Sequence, residues 1–329
     1  MRGDKMKKFF VIVFSALLMV TAVALIYIHF SPPQRVKEFK IRLSSLGRGT
    51  SEDEYVTAIL NCSLPKVPNK LPVLKVVSHN YTDIEAKAIA MQVFDMKGEL
   101  EVTRFNWTPY GPVVVTNGSQ KLELYGDGSL CYKPNSQEEG YNIELPELSQ
   151  AKEIADQFVA ILVERAKSHG LMPTFPSINF YKVDYVCWYG IPPQSTVPIE
   201  IGVEYKTLYN SIPLIFKGGI GAIIGDKGKI LELRCFWRNV EFAEVVPITV
   251  SSEQAILNMG NNSLVGRDPR KIQKITINSV ELGYFTPPPL LTVNELLPAY
   301  EIEFVATFED GSQNTYVTYV SATDTPIPY

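Results

Sequence analysis

The chain has 329 residues, 46% hydrophobic and 20% charged, with 31 Lys and Arg against 35 Asp and Glu. That balance excludes a disordered polyelectrolyte and a basic nucleic-acid binder, and the length suffices for one large or two ordinary domains with real cores. The average hides an asymmetry: residues 1–30 hold Arg2, Lys5, Lys7 and Lys8 but only Asp4, so 27 basic and 34 acidic residues remain beyond them, a net −7.

The first predicted element is Phe9–Phe30, FFVIVFSALLMVTAVALIYIHF, which carries no full charge. Its 22 residues reach about 33 Å as a helix, against about 30 Å of bilayer hydrocarbon. This predicts a transmembrane helix over 9–30 behind a cytoplasmic tail, 1–8. A cleaved signal peptide with Ala22-Val23-Ala24 as its site is the alternative, against which the apolar run continues through Ile28. Basic residues flank both ends of the run, so charge alone does not orient it. Five Asn-x-Ser/Thr sequons follow, at Asn61, Asn80, Asn106, Asn117 and Asn261. They favour an extracellular, glycosylated bulk on a single-pass protein of the cell membrane, with membrane lipid as one partner.

Residues 31–70 read as a juxtamembrane stalk, in which Gln34–Leu46 places Val36, Phe39, Leu43 and Leu46 at helical spacing. Three α+β units follow, 71–145, 146–245 and 246–329. The first opens on the capping box Thr82-Asp83-Ile84-Glu85, then short strands at Leu100–Phe105, Pro112–Thr116, Lys121–Tyr125 and Ser129–Tyr132. The second has a helix over Pro146–Ser168 with Gly170 as C-cap, then strands over Ile178–Trp188, Ile199–Leu208, Ile212–Phe216, Ala222–Ile224 and Lys229–Trp237. The third starts at Ser251-Ser252-Glu253-Gln254, with strands over Lys274–Leu282, Tyr300–Phe308 and Asn314–Val320. Hairpin-length links predict antiparallel sheets, each packed by its preceding helix.

Cys62, Cys131, Cys187 and Cys235 are far apart and form no CxxC, so they read either as one or two disulfides of open pairing or as buried apolar side chains. His29, His79 and His169 are isolated, and HExxH, GxSxG, SxxK and EF-hand spacings are absent, which leaves no catalytic residue, metal or cofactor to assign. Gly218-Gly219-Ile220-Gly221 precedes a hairpin rather than a helix, so it reads as a turn or bulge and not a phosphate loop. Among the 36 aromatic residues, Trp188, Tyr189, Phe236 and Trp237 lie at strand ends where exposed rings could stack on a peptide or sugar.

The helix openings Glu85-Ala86, Gln150-Ala151 and Gln254-Ala255 before β-meanders, the segment GAIIGDKGKILELRCFW over Gly221–Trp237, and the closing pair LLPAYEIEF and YVTYVSAT resemble the PepSY superfamily and YycH- and YycI-type regulatory exodomains. The resemblance covers Leu71–Thr323 and departs from the family's ending at Ala322-Thr323-Asp324-Thr325. It implies a non-catalytic external module that binds or restrains a protein partner, commonly a peptidase or a sensor kinase. A cell-envelope hydrolase and a structural envelope component are the other readings.

Overall fold

The computed structural model describes residues 37–43, 54–105, 111–134, 143–170, 177–189, 197–262, 270–289, 291 and 293–328. Glu38–Leu43 (β1) reads EFKIRL and buries Phe39, Ile41 and Leu43 while Glu38, Lys40 and Arg42 face outward. The helix expected over Gln34–Leu46 is therefore a strand in its described part. Ile41 decides this, because a period of two puts it on the face of Phe39 and Leu43, whereas a helix would turn it away. Glu54–Leu60 (β2) also falls in the segment 31–70 that reads as a stalk, and Lys70–Val76 (β3) opens the segment after it.

Asp83–Gln92 (α1) begins where expected, since Thr82 Oγ1 accepts from Glu85 N at 3.2 Å and Glu85 Oε2 accepts from Thr82 N at 2.7 Å. A four-strand meander follows: Glu101–Arg104 (β4), Val113–Thr116 (β5), Lys121–Leu124 (β6) and Leu130–Lys133 (β7). Leu148–Ser168 (α2) buries Ala151, Ala155, Val159, Leu162 and Ala166, a stripe at helical spacing. Its alanines let the helix axis lie close to the sheet. Then come Ser177–Tyr189 (β8), Val197–Tyr209 (β9), Ile212–Phe216 (β10), Ile220–Ile224 (β11), Ile230–Cys235 (β12) and Val240–Pro247 (β13). Ser252–Asn262 (α3) is capped by Ser251 Oγ, which accepts from Gln254 N at 3.1 Å. Ile272–Thr286 (β14), Glu295–Leu296 (β15), Pro298–Phe308 (β16) and Gln313–Ser321 (β17) close the chain.

Fourteen of these strands form one sheet, along β1-β2-β14-β10-β9-β11-β12-β7-β6-β5-β4 with β16 and β17 beyond β14 and β8 beside β9; β13-β3-β15 form a second. Two large cores result. One packs α1 and α2 on β4–β7, β9, β11 and β12. The other packs α3 on β1, β2, β14, β16 and β17.

The expected fold of a transmembrane helix followed by tandem antiparallel units is corrected accordingly. The protein is mostly β, the first two helices share one core, and the last helix packs with strands from the chain's beginning. Parallel pairings occur at β14 with β2 (Ile275 opposite Ala58) and at β14 with β10 (Leu214 opposite Tyr284). Among the described residues no helix is long and apolar enough to cross a membrane, so the membrane and signal-anchor reading is not carried forward. The run Phe9–Phe30 itself lies outside the described residues.

Candidate functional site

Strand β9 turns Ile201, Val203 and Tyr205 into the α2 core, and period two then puts Gly202, Glu204 and Lys206 on the opposite face. In β11 the same alternation buries Ile220, Ala222 and Ile224 and turns Gly221 and Ile223 outward. Across from them β16 and β17 bury Ile302, Phe304 and Val320 in the second core and present Glu301, Val317 and Tyr319. The two outward faces enclose a cleft of about 320 Å³, lined from seven strands, β8 to β12 with β16 and β17.

Lys206 ties the walls together. Its ammonium donates to Glu281 Oε2, lies 3.5 Å from Glu301 Oε1, and sits 4.2 Å from the Tyr181 ring centroid. Only 16% of the side chain is exposed. Desolvation would lower the Lys206 pKa, but the hydrogen bond to Glu281 and the charges of Glu301 and Glu281 outweigh it and hold the group above its ordinary value. Lys206 is thus a fixed cation, unsuited to act as a base or an amine nucleophile at neutral pH.

The cleft ends on Phe216, which takes φ +72° although it is not glycine, a conformation that costs roughly 1–2 kcal/mol. Two sets of contacts hold it there. Phe216 N donates to Glu301 Oε2 at 3.3 Å, and the ring stacks on Phe285 at 5.1 Å and meets Tyr319 at 5.0 Å. The following Gly219 has φ +143°, and a Cβ there would stand 2.3 Å from the Tyr205 carbonyl oxygen. Gly219 accordingly sits at a close crossing of backbones, within the run that reads from the sequence as a turn or bulge. Gly221 differs, for a Cβ added there meets nothing within 4 Å.

The sequence-predicted residues are scattered. Trp237 is fully buried, with Nε1 donating to the Gly128 carbonyl at 3.0 Å, so its expected binding role is corrected to core packing. Phe236 lines the cleft. The backbones of Trp188 and Tyr189 lie in β8, opposite Pro198 and Val197; their side chains, like that of Cys187, are outside the described set. Cys62, Cys131 and Cys235 carry free thiols, so no disulfide joins them. Burial raises the pKa of all three; at Cys131 the hydrogen bond to Glu232, at 3.0 Å, and its charge add to the effect.

Asn61 and Asn80 are exposed. Asn117 instead spends its amide on Lys97 O at 2.8 Å and Gln120 Oε1 at 2.7 Å. Asn106 lies outside the described residues, and Asn261 is described only as backbone within α3. His79 is 3.5 Å from Glu85, and His169 caps α2 through its backbone. Among the described residues no three His, Cys, Asp or Glu side chains gather as a metal site.

The sequence reading missed Lys206, Phe216, Lys217, Glu281 and Glu301. The alternation of Val197–Tyr209 marks Gly202, Glu204 and Lys206 as one face, but their partners come from 75 and 95 positions further along the chain, at Glu281 and Glu301.

No family model and no curated protein matches the chain. Among solved structures, a crystal structure of an uncharacterized protein from Eubacterium rectale is similar, with a TM-score of 0.46 and 10% identity over 84% of this chain and 90% of that one. The resemblance to the PepSY superfamily therefore rests on the sequence pattern alone.

Proposed function

We propose that the chain is a non-catalytic binding or regulatory protein whose ligand lies in the cleft between the β9–β11 face and the β16–β17 face. The observation that carries this reading is the floor at Gly221, where the backbone is bare and the space above it is open, within a lining of aromatic and charged side chains. Concave sites with a few placed polar groups are where ligands bind, and about 300 Å³ is the lower end of their usual size. A binding role is favoured over a hydrolytic one because Glu281 and Glu301 are both engaged by the Lys206 ammonium, so that neither carboxylate is presented unpartnered to the cleft.

Gly221→Phe tests the proposal. The new side chain fills open space at an ordinary backbone conformation, so the melting temperature is expected to stay within a few degrees of wild type. Peptides selected by display on the wild-type chain are expected to lose binding to the variant. Retention of those peptides by Gly221→Phe would refute the cleft as the binding site.

A further inference from the structure

We propose that the occupant of this cleft is an extended peptide carrying carboxylates beside apolar side chains, an inference that rests on the cleft reading above. Four cations line the cleft, Lys182, Lys206, Lys217 and Arg234, against two carboxylates, Glu204 and Glu301. This local excess stands on a chain whose net charge is −4. Most of these charges are committed: Lys182 pairs with Glu204 at 3.5 Å, Lys206 with Glu281 and Glu301, and Arg234 with Glu232 at 2.7 Å.

Lys217 is the exception. It is exposed, its ammonium lies 5.7 Å from the Phe216 ring centroid, and no carboxylate pairs with it among the described residues. It follows the strained Phe216 directly, and residues held in such conformations cluster at ligand sites. An arriving carboxylate would find this cation without having to displace an existing ion pair. Arg234 lies opposite Gly221 in the β11–β12 ladder and keeps donors beyond the one it gives Glu232.

The apolar part of the ligand is read from the rims. Tyr181, Val186 and Val317 line the cleft yet remain 43%, 46% and 37% exposed. They belong to β8 and β17, on opposite sides of the glycine floor. A small acid would satisfy Lys217 and leave both rims wet, whereas an extended peptide covers them along with the floor.

The test uses the full chain and fluorescence polarisation. A labelled heptapeptide of alternating Leu and Glu is compared with the same peptide carrying Gln or Lys in place of Glu. The Leu/Glu peptide is expected to bind at least about tenfold tighter than either, as a charge-assisted contact would give. Lys217→Glu should abolish that preference, Lys217→Arg should retain it, and Gly221→Phe should block all three peptides. Equal binding of the Leu/Glu and Leu/Gln peptides, with Gly221→Phe still blocking, would overturn the acidic ligand and leave the cleft reading standing. Binding that ignores Gly221→Phe would overturn both. Absence of binding by the Leu/Glu peptide, or tighter binding by free glutarate than by the peptide, would overturn the inference as well.

Discussion

Removing the guanidinium of Arg238 should be among the most damaging single changes in this protein. Arg238 and Asp127 are both fully buried, and Arg238 Nη1 donates to Asp127 Oδ2 while Nη2 donates to the Pro287 carbonyl. The contacts join three segments: the β6–β7 turn, the link from β12 to β13, and the end of β14. Arg238→Met would leave the Asp127 carboxylate buried, with its described side-chain hydrogen bond from Ser129 N, at 2.8 Å, in place of a full counter-charge. Breaking one side of such a pair costs about 3–5 kcal/mol, because the remaining charge keeps its desolvation penalty. With an m value of about 3 kcal/mol/M, the urea midpoint should fall by roughly 1–1.7 M. Trp237 donates to Gly128 O beside the pair, so it contributes to the tryptophan fluorescence that follows the transition. Asp127→Asn combined with Arg238→Met should cost less than the two single changes together, since no unpaired charge remains. A loss below about 1 kcal/mol for Arg238→Met, or strict additivity in the double variant, would refute the claim that the pair is dry and coupled.

Two further outcomes follow from the groups behind the cleft. Desolvation would raise the Glu232 pKa, but hydrogen bonds from Arg234 and Cys131 and the charges of Arg234 and Lys133 outweigh it and hold the carboxyl below its ordinary value. Stability from this group is therefore present above the ordinary carboxylate value and lost as pH falls through the depressed one. Glu232→Gln should cost about 1 kcal/mol at pH 7 and flatten the acid limb of urea midpoints measured between pH 7 and 3. Cys235 is fully buried with its pKa raised well above the ordinary thiol value, and Cys131 is nearly so, which makes both poor nucleophiles. A thiol reagent should modify them only at the rate of unfolding, and mass spectrometry of alkylated protein should find no bond between them.

The helices were legible because their signals are local. Thr82 with Glu85, and Ser251 with Gln254, lie three residues apart and report only on the chain between them. Most strands were legible for the same reason, through alternation and turns such as Asp310-Gly311. The architecture was not, because it depends on which distant segment covers which face. Ala58 pairs in parallel with Ile275, and nothing near either residue announces the other. Phe236 and Trp237 show a finer limit. Adjacent residues in extended chain face opposite ways, so both rings could not be surface groups, yet parity does not say which one enters the core. The cleft was hidden at both levels, since its walls belong to segments that read as separate units.

Strand β10 explains why a binding site and a structural seam coincide. It is buried on both faces, as strands in parallel pairing tend to be. Leu214 packs with Tyr284 and Leu74, while its neighbour Ile215 packs with Phe285 and Tyr319 on the other side. A strand fixed on two sides has little freedom to relax, which is the setting in which a left-handed Phe216 can persist. Phe216 fills the base of the cleft against Phe285 and Tyr319, and its N–H ties down Glu301, one of the two carboxylates that grip Lys206. A ligand entering beside Lys217 therefore meets walls whose spacing is set before it arrives. Little ordering should remain to be paid on binding, and affinity should depend on the ligand's charge and shape more than on its power to reshape the protein.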